Sequence, residues 1–478
     1  MIKATGLGSG LDIDSIVAGL VNAERQPVEQ RLNRLAASID GEVSAFGQVS
    51  SVLAALESAV QTLNDRDLVS QRTVSNSDWN AVAPTVSGSP ATGVYDVQVT
   101  SLASAQTLAT TGTFTNLTDV VGTGTLTFDF GEPSYTGNAY SSFSATTGTQ
   151  KTLVVDNTNN TLTGLRDAIN ALEAGVSASI IKDGTDYRLL FSATESGVAN
   201  SMSISVSDDG GSGLSALAFN SSTANLQETN RAANAVFSVN GLSLSSASNT
   251  VSDIVSGLDL KLKTEASFST VEVLSDNAPV FDAINAFIDA HNTAITTING
   301  LTAYNASTGV AGTLQGDSLS RSVQSVIRNV VNAVPSNTGQ TTTLLSQLGI
   351  NYQADGLLAL SEDTLTDALA NDRNAVASFL AGADASSLDD GFAGSILSSL
   401  SGFTSTDGSI QSKLTSLDQR KNVISEDRSR LEERIADIEA RYFRQFNAMD
   451  ALIARLTTTG DFLLAQLDSM PAANREKK

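Results

Sequence analysis

The sequence predicts an α+β multidomain protein: long terminal coiled-coil helices forming a stalk, with two β-rich head domains inserted between them. Two observations carry that expectation: a heptad stripe near each end, and a strand-patterned middle that is nearly free of Arg and Lys. From Val28 the first stripe runs Leu32, Leu35, Ile39, Glu42, Phe46, Val49, Leu53, Leu56, Val60, Leu63, in steps of four and three with one polar interruption. The second runs Leu414, Leu417, Lys421, Ile424, Arg428, Leu431, Ile435, Ile438, Tyr442, Gln445, Met449, Leu452, Leu456. Such spacing keeps one seam turned towards a partner helix, so each stripe needs another helix to cover it. At the α-helical rise per residue these are rods of roughly 50–65 Å, much longer than ordinary globular helices. Pairing them antiparallel satisfies both, with the intervening chain looping out as a head. The residues expected to mediate coiled-coil pairing or oligomerisation are Leu32, Leu35, Ile39, Phe46, Leu53 and Leu56, with Leu431, Ile435, Ile438, Tyr442, Met449 and Leu452.

Within the rods, Lys421 and Arg428 occupy seam positions. They either set register or partner, or reach out of the seam along their own stems. Glu42 is the matching interruption, and Arg428 or Lys421 is its candidate partner. Ahead of the first rod lie Ile13, Ile16, Val17, Leu20 and Val21, an amphipathic run. Pro27 is tolerated in a first helical turn, so the expectation is a short helix, a break, then the rod.

Charge divides the chain. Residues 76–275 hold seven Lys/Arg against eighteen Asp/Glu, whereas 410–478 hold twelve against eleven. Arg72 is the last basic residue before Lys151, which sets a boundary near 75. In the middle, Val94–Val99, Leu126–Phe130 and Phe237–Asn240 alternate with period two. Ser179–Lys182 and Tyr187–Phe191 flank Asp183-Gly184, a hairpin signal, and Thr163–Leu172 reads as a helix. The segment 131–150 has little periodicity and is expected to be a mobile loop. Near Pro279 the helical period returns with Phe281, Ile284, Ile288, His291, Ile295 and Ile298. A helix at about 316–333 follows, then a hairpin about Asp355-Gly356, then helices near 361–371 and 372–380 stopped by Gly382. The expected domains are 1–75 (leader and N-terminal leg), 76–130 with 232–275 (first head domain), 131–231 (second head domain, inserted), 276–409 (helical stalk domain) and 410–478 (C-terminal leg), in keeping with a length prior of about three domains.

Composition excludes several classes. The chain has no cysteine, so neither disulfides nor thiolate metal sites are available. A net charge of −23 argues against nucleic acid and against anionic membrane surfaces. No stretch approaches eighteen consecutive apolar residues, so no membrane span is expected. Met1–Leu11 lacks the features of a cleavable secretory signal.

Four features of the sequence could carry chemistry. His291, the single histidine, lies on a helical stripe with no Ser-base or metal partner nearby in sequence, so a buried, hydrogen-bonded core histidine outweighs a catalytic one. Gly6-Leu7-Gly8-Ser9-Gly10 follows no strand and lacks a later Gly-Lys, which favours a flexible leader over a phosphate loop. Asp208-Asp209-Gly210-Gly211 lacks the twelve-residue calcium loop and its terminal Glu, which favours a solvated turn. Carboxylates are too frequent in the middle for any pair to stand out. No catalysis, cofactor or metal is expected.

Gly6-Leu7-Gly8-Ser9-Gly10-Leu11-Asp12-Ile13-Asp14-Ser15-Ile16-Val17, with Leu20 to Pro27, resembles the opening of the bacterial flagellar filament cap family, also called hook-associated protein 2. Arg441-Tyr442-Phe443-Arg444-Gln445-Phe446-Asn447-Ala448-Met449-Asp450, with Leu452-Ile453 and Phe462-Leu463, is similar to that family's closing segment. Tyr95–Ala103, and Leu348-Gly349-Ile350 with Asp355-Gly356, Leu358–Leu360 and Ala375-Val376, resemble its head-entering strand and its stalk domain. Residues 131–230 depart most. The resemblance implies a ring of about five or six copies at the filament tip, with flagellin, hook–filament junction proteins and a cytoplasmic export chaperone as partners. It further implies export through the flagellar type III channel, an extracellular location, and a role in placing flagellin and preventing its loss. The competing reading is a secreted adhesin whose polar β head binds host mucin or glycans. A stalked extracellular hydrolase is weaker, because no nucleophile–base pair is visible.

Overall fold

The computed structural model describes residues 10–137, 139–209, 213–330, 344–382 and 391–469. The leader Gly6–Gly10 and the Asp208–Gly211 turn therefore lie partly outside the described residues, as does the end of the helix expected to reach 333. The chain divides into two compact units, Met1–Val69 with Asn277–Lys478, and Ser70–Asp276.

The first unit is mainly helical. Its N-terminal rod is one helix, Ile13–Leu63, capped by the Asp12 carboxylate accepting from the Ser15 N–H at 3.1 Å. Pro27 sits inside it, so the expected break is absent. Proline removes one backbone donor to the Ala23 carbonyl, but Ile13, Val17 and Val21 on the upstream turns are all buried, and their burial outweighs that local loss. By length and composition alone this helix could cross a membrane; its apolar residues line the core described here. The C-terminal rod is Ser409–Asp468. Between them in sequence come helices Ala278–Thr302, Ser318–Asn329, Glu362–Asn371, Arg373–Ala381 and Phe392–Thr404. A two-stranded hairpin pairs Ile350–Tyr352 with Leu358–Leu360.

The legs and stalk domain, expected as separate domains, share one continuous core from Ile13 to Ile435. Apolar burial at about 25 cal/mol per Å² favours merging the exposed faces of rods and short helices into one interior. Phe287 meets Phe392 edge-on at 5.7 Å, and Phe392 stacks on Phe379 at 5.6 Å. Asn292 holds the hairpin by donating to the Leu358 carbonyl (2.9 Å) and accepting its N–H (2.8 Å). Arg373 ties together the places where the chain leaves and re-enters this unit, donating to the Val69 carbonyl at 2.7 Å and to the Asn277 side chain.

The second unit contains two β-rich cores. The first is a five-stranded antiparallel sheet ordered Arg72–Asn76, Ser267–Ser275, Gly93–Ser101, Ala235–Val239, Leu242–Ser246. A three-stranded sheet of Thr250–Val255, Leu258–Leu262 and Val82–Val86 shares its core of Val97, Val99, Phe237, Leu260 and Val271. The turn between the last two strands of the larger sheet is Asn240-Gly241. Both residues have positive φ (48° and 81°), the geometry that suits a two-residue hairpin and favours Asn-Gly. The second core, around Phe128, Leu165, Phe191 and Ile204, lies between a six-stranded sheet, a four-stranded sheet and helix Leu162–Ala171.

Two corrections concern this unit. The inserted region was expected to begin at 131, yet strand Gly124–Thr136 runs through that point, and strand Thr107–Thr110 already belongs to the second core through Leu108. The chain crosses between cores at Ser104 and Ala233, which bridge each other. The expected mobile loop is also structured: Gly131–Thr136 pairs with Ala139–Ala145, and Lys151–Val155 is a strand. Their polar residues face solvent or side chains distant in sequence, so no alternation of apolar residues announces them.

His291 is fully buried, as expected of a core histidine, with Nε2 3.3 Å from the Ile327 carbonyl and Nδ1 3.4 Å from Asn292 Oδ1. Burial lowers its pKa; the contacts to Asn292 and Ile327 oppose this only partly. A group whose folded pKa is depressed binds protons more readily unfolded, so its contribution is present above the unfolded value near 6.5 and is lost as pH falls below it. Helix circular dichroism during urea unfolding of the full chain should show a lower midpoint at pH 5.5 than at pH 7.5. His291→Gln should flatten that difference.

Candidate functional site: the paired terminal rods

The rods pack antiparallel. Arg25 meets Glu432 at 2.6 Å, Arg428 donates to Asn33 Oδ1 at 2.7 Å, Lys421 meets Asp40 at 2.8 Å, and Arg420 lies 3.9 Å from Glu42. As the partner in the first rod advances from 25 to 42, the partner in the second falls from 432 to 420, a single register. Lys421 and Arg428 therefore reach out of the seam. Glu42 faces Arg420 rather than either expected partner. Such exposed pairs add little stability; their value lies in fixing register.

The apolar seam sets the energetics. Leu32, Ile39, Phe46, Val49, Leu53, Leu56, Val60 and Leu63 are buried in the first rod, and Leu417, Ile424, Leu431 and Ile435 in the second. Ile438 and Tyr442 are half-buried against the same core. Three expected seam residues are not covered: Leu35 is 42% exposed, Met449 39% and Leu452 56%. In the first rod the seam passes instead through Ala36 and Val43, both packed against the core. Leu32, Ala36, Ile39, Val43 and Phe46 keep the four-three spacing with the small residue inside. The signal that could have found them was phase: choosing Leu35 and Glu42 took the neighbour one residue early.

At the first rod's lower half, Lys413 binds Asp317 at 2.9 Å and lies 5.4 Å from the Phe46 ring. Burial alone would raise the Asp317 carboxyl, but Lys413 and the N–H groups of Ser320 and Leu319 hold it below the usual value.

Beyond Phe443 and Phe446, which still pack against the core, the second rod continues to Asp468. Leu452, Leu456, Phe462, Leu463, Leu464 and Leu467 are each more than half exposed. By the register above, the start of the first rod at Ile13 lies opposite the mid-440s of the second, so the described first rod is too short to cover them. Contiguous exposed apolar surface of this kind marks an interaction site. Among the described residues no group of three His, Asp or Glu side chains could hold a metal ion.

Ile39→Ala and Ile435→Ala should each cost about 2–4 kcal/mol of stability in chemical unfolding. Leu35→Ala and Leu452→Ala should stay within about 0.5 kcal/mol of the parent. Equal losses at Leu35 and Ile39 would contradict the register.

A family model described as Flagellar hook-associated protein 2 N-terminus matches residues 9–106, and one described as Flagellar hook-associated protein 2 C-terminus matches 232–458. The chain is 30% identical to the B-type flagellar hook-associated protein 2 of Pseudomonas aeruginosa, over 99% of this chain and 98% of that one. It is 31% identical to the flagellar hook-associated protein 2 of Escherichia coli K12, over 98% of each. Among solved structures it is similar to the D1-D2-D3 domains of the flagellar cap protein FliD from Escherichia coli. That match has a TM-score of 0.64 at 30% identity, covering 78% of this chain and 99% of that one. Long terminal helices flanking β-rich sheets are thus a shared α+β multidomain architecture, and the chain belongs to the flagellar hook-associated protein 2 family.

Proposed function

We propose that this chain is a structural cap at the distal end of the bacterial flagellar filament. In this reading several copies assemble into a ring that promotes flagellin insertion and prevents subunit loss. The observation that supports it most is the apolar overhang of the C-terminal rod. Leu452, Leu456, Phe462, Leu463, Leu464 and Leu467 stand in water, on a helix whose preceding turns are already committed to an intramolecular seam. A second protein surface would cover them, and a neighbouring copy carries helical surface of the right kind in its own rods. The acidic middle, 7 − 18 = −11 over residues 76–275, repels its own copies. Assembly is therefore assigned to the helical unit, with the seam residues Leu32, Ile39, Phe46, Leu53, Leu56, Leu431 and Ile435 holding the rods together and the overhang making the intermolecular contact. Similarity to a protein described as a flagellar cap supports the same reading.

Leu456→Asp with Phe462→Asp should leave the monomer's circular dichroism and unfolding midpoint unchanged, since both side chains are exposed. The same protein should fail to restore swimming to a strain lacking the parent gene, with flagellin accumulating unpolymerised in the medium. Full-length filaments and normal swimming with the double variant, or in the deletion strain itself, would overturn the proposal.

A further inference from the structure

Apolar side chains close most of the seam between the rods, but one stretch is left open. In the first rod Val21, Arg25, Val28 and Leu32 keep the four-three-four spacing of the seam. Arg25 turns its guanidinium to Glu432 at 2.6 Å, and Val28 is only half-buried. Opposite, between the buried Ile424 and Leu431, Arg428 reaches out to Asn33 at 2.7 Å. Charged residues at seam positions bring too little apolar volume to fill the interior. The result is a pocket of about 500 Å³ between the two rods, a size typical of small-molecule sites. In the first rod its residues fall between Arg25 and Asn33, the partners in those two register contacts.

Leu32 and Leu431, both buried, form the base of the pocket, with Val28 and Pro27 beside them. Arg31 lines it from the first rod, and Arg430, Arg434 and Asp427 line it from the second. Three guanidinium groups against one carboxylate leave a formal charge of +2, in a chain whose net charge is −23. Arg430 is held in place by Asp427 at 2.5 Å and Glu426 at 3.5 Å. Among the described residues, Arg31 and Arg434 are exposed and take part in no hydrogen bond or ion pair. The nearby acids do not fill the place: Glu432 is committed to Arg25, and neither Glu29 nor Glu433 lines the pocket.

We propose that this pocket binds a small soluble dianion of the phosphate class, a phosphomonoester or short polyphosphate. Arg31 from one rod and Arg434 with Arg430 from the other hold it. A guanidinium fork matches phosphate oxygens two at a time, and two uncommitted forks match a double charge. A single carboxylate would leave one fork uncompensated, and a cation would meet like charge. A membrane presenting the same phosphate chemistry is repelled by the net charge of −23 before it can reach a pocket between two helices. The site exists only while both rods are in register, so a bound anion favours the paired rods over separated ones by mass action. The rod pair is thereby tied by a ligand as well as by its seam, and its stability follows the supply of such anions rather than ionic strength alone. The site goes beyond the capping role and does not rest on it.

Isothermal titration calorimetry of the full-length protein with sodium pyrophosphate, at an ionic strength held constant with NaCl, tests this. The expected result is saturable binding at one site per chain, with acetate at least tenfold weaker. Arg31→Gln with Arg434→Gln should weaken pyrophosphate binding at least tenfold and leave circular dichroism unchanged, since both side chains are exposed and unpaired. Arg34→Gln, exposed on the same rod but outside the pocket, should bind as the parent does. Pyrophosphate should raise the parent's urea midpoint above that in NaCl of equal ionic strength, and the double variant should lose that rise. Phosphatidic acid vesicles should sediment parent and double variant to the same extent. No saturable binding, equal affinity for acetate, affinity unchanged in the double variant, an equal loss in Arg34→Gln, or arginine-dependent binding to vesicles alone would overturn the proposal.

Discussion

The structure of the helical unit depends on burying one apolar seam between two rods that lie at opposite ends of the sequence. Neither stripe is tolerable in water alone, and closing a loop of more than 300 residues costs only slowly more than closing a short one. The seam therefore brings the rods together, and because they run antiparallel the intervening chain leaves and returns close together. The ion pairs from Arg25–Glu432 to Glu42–Arg420 select among registers that the apolar contacts alone would nearly tolerate. Arg373, joining Val69 to Asn277, ties the exit to the re-entry within the same unit.

The same seam leaves a remainder. One rod is described over Ile13–Leu63 and the other over Ser409–Asp468, so the fixed register uses up the first before the second. What lies past Phe446 is an amphipathic helix without a described partner, attached to a part that is already stable. On the proposed reading, folding and assembly are separated along one helix, with intramolecular burial first and intermolecular burial after it. Such a division suits a protein that must exist as single chains before it acts as an assembly.

Much of this was legible from residue spacing, and the failures have identifiable causes. The rods, the helix Ala278–Thr302 and the Asp355-Gly356 hairpin all announce themselves through period and turn chemistry. The phase of the seam between 32 and 46 did not. Leu35 and Glu42 fit a four-three count as well as Ala36 and Val43 do, and a larger side chain attracts the reading that a small, half-buried alanine deserves. Pro27 misled because a local rule was applied where burial of Ile13, Val17 and Val21 decides. The ribbon at 131–145 was missed because what holds it, Tyr135 on Glu228 and Tyr140 on Phe219, joins residues about eighty to ninety apart.

Hydrogen–deuterium exchange along the C-terminal rod tests the central claim most directly, comparing the isolated full-length protein with the protein assembled on filament ends. The account predicts strong protection from Leu414 to Phe446 in both states. It predicts fast exchange over residues 449–468 in the isolated chain, and protection of that stretch only on assembly. Uniform protection of the whole rod in the monomer, or an overhang that still exchanges freely at the filament end, would contradict it.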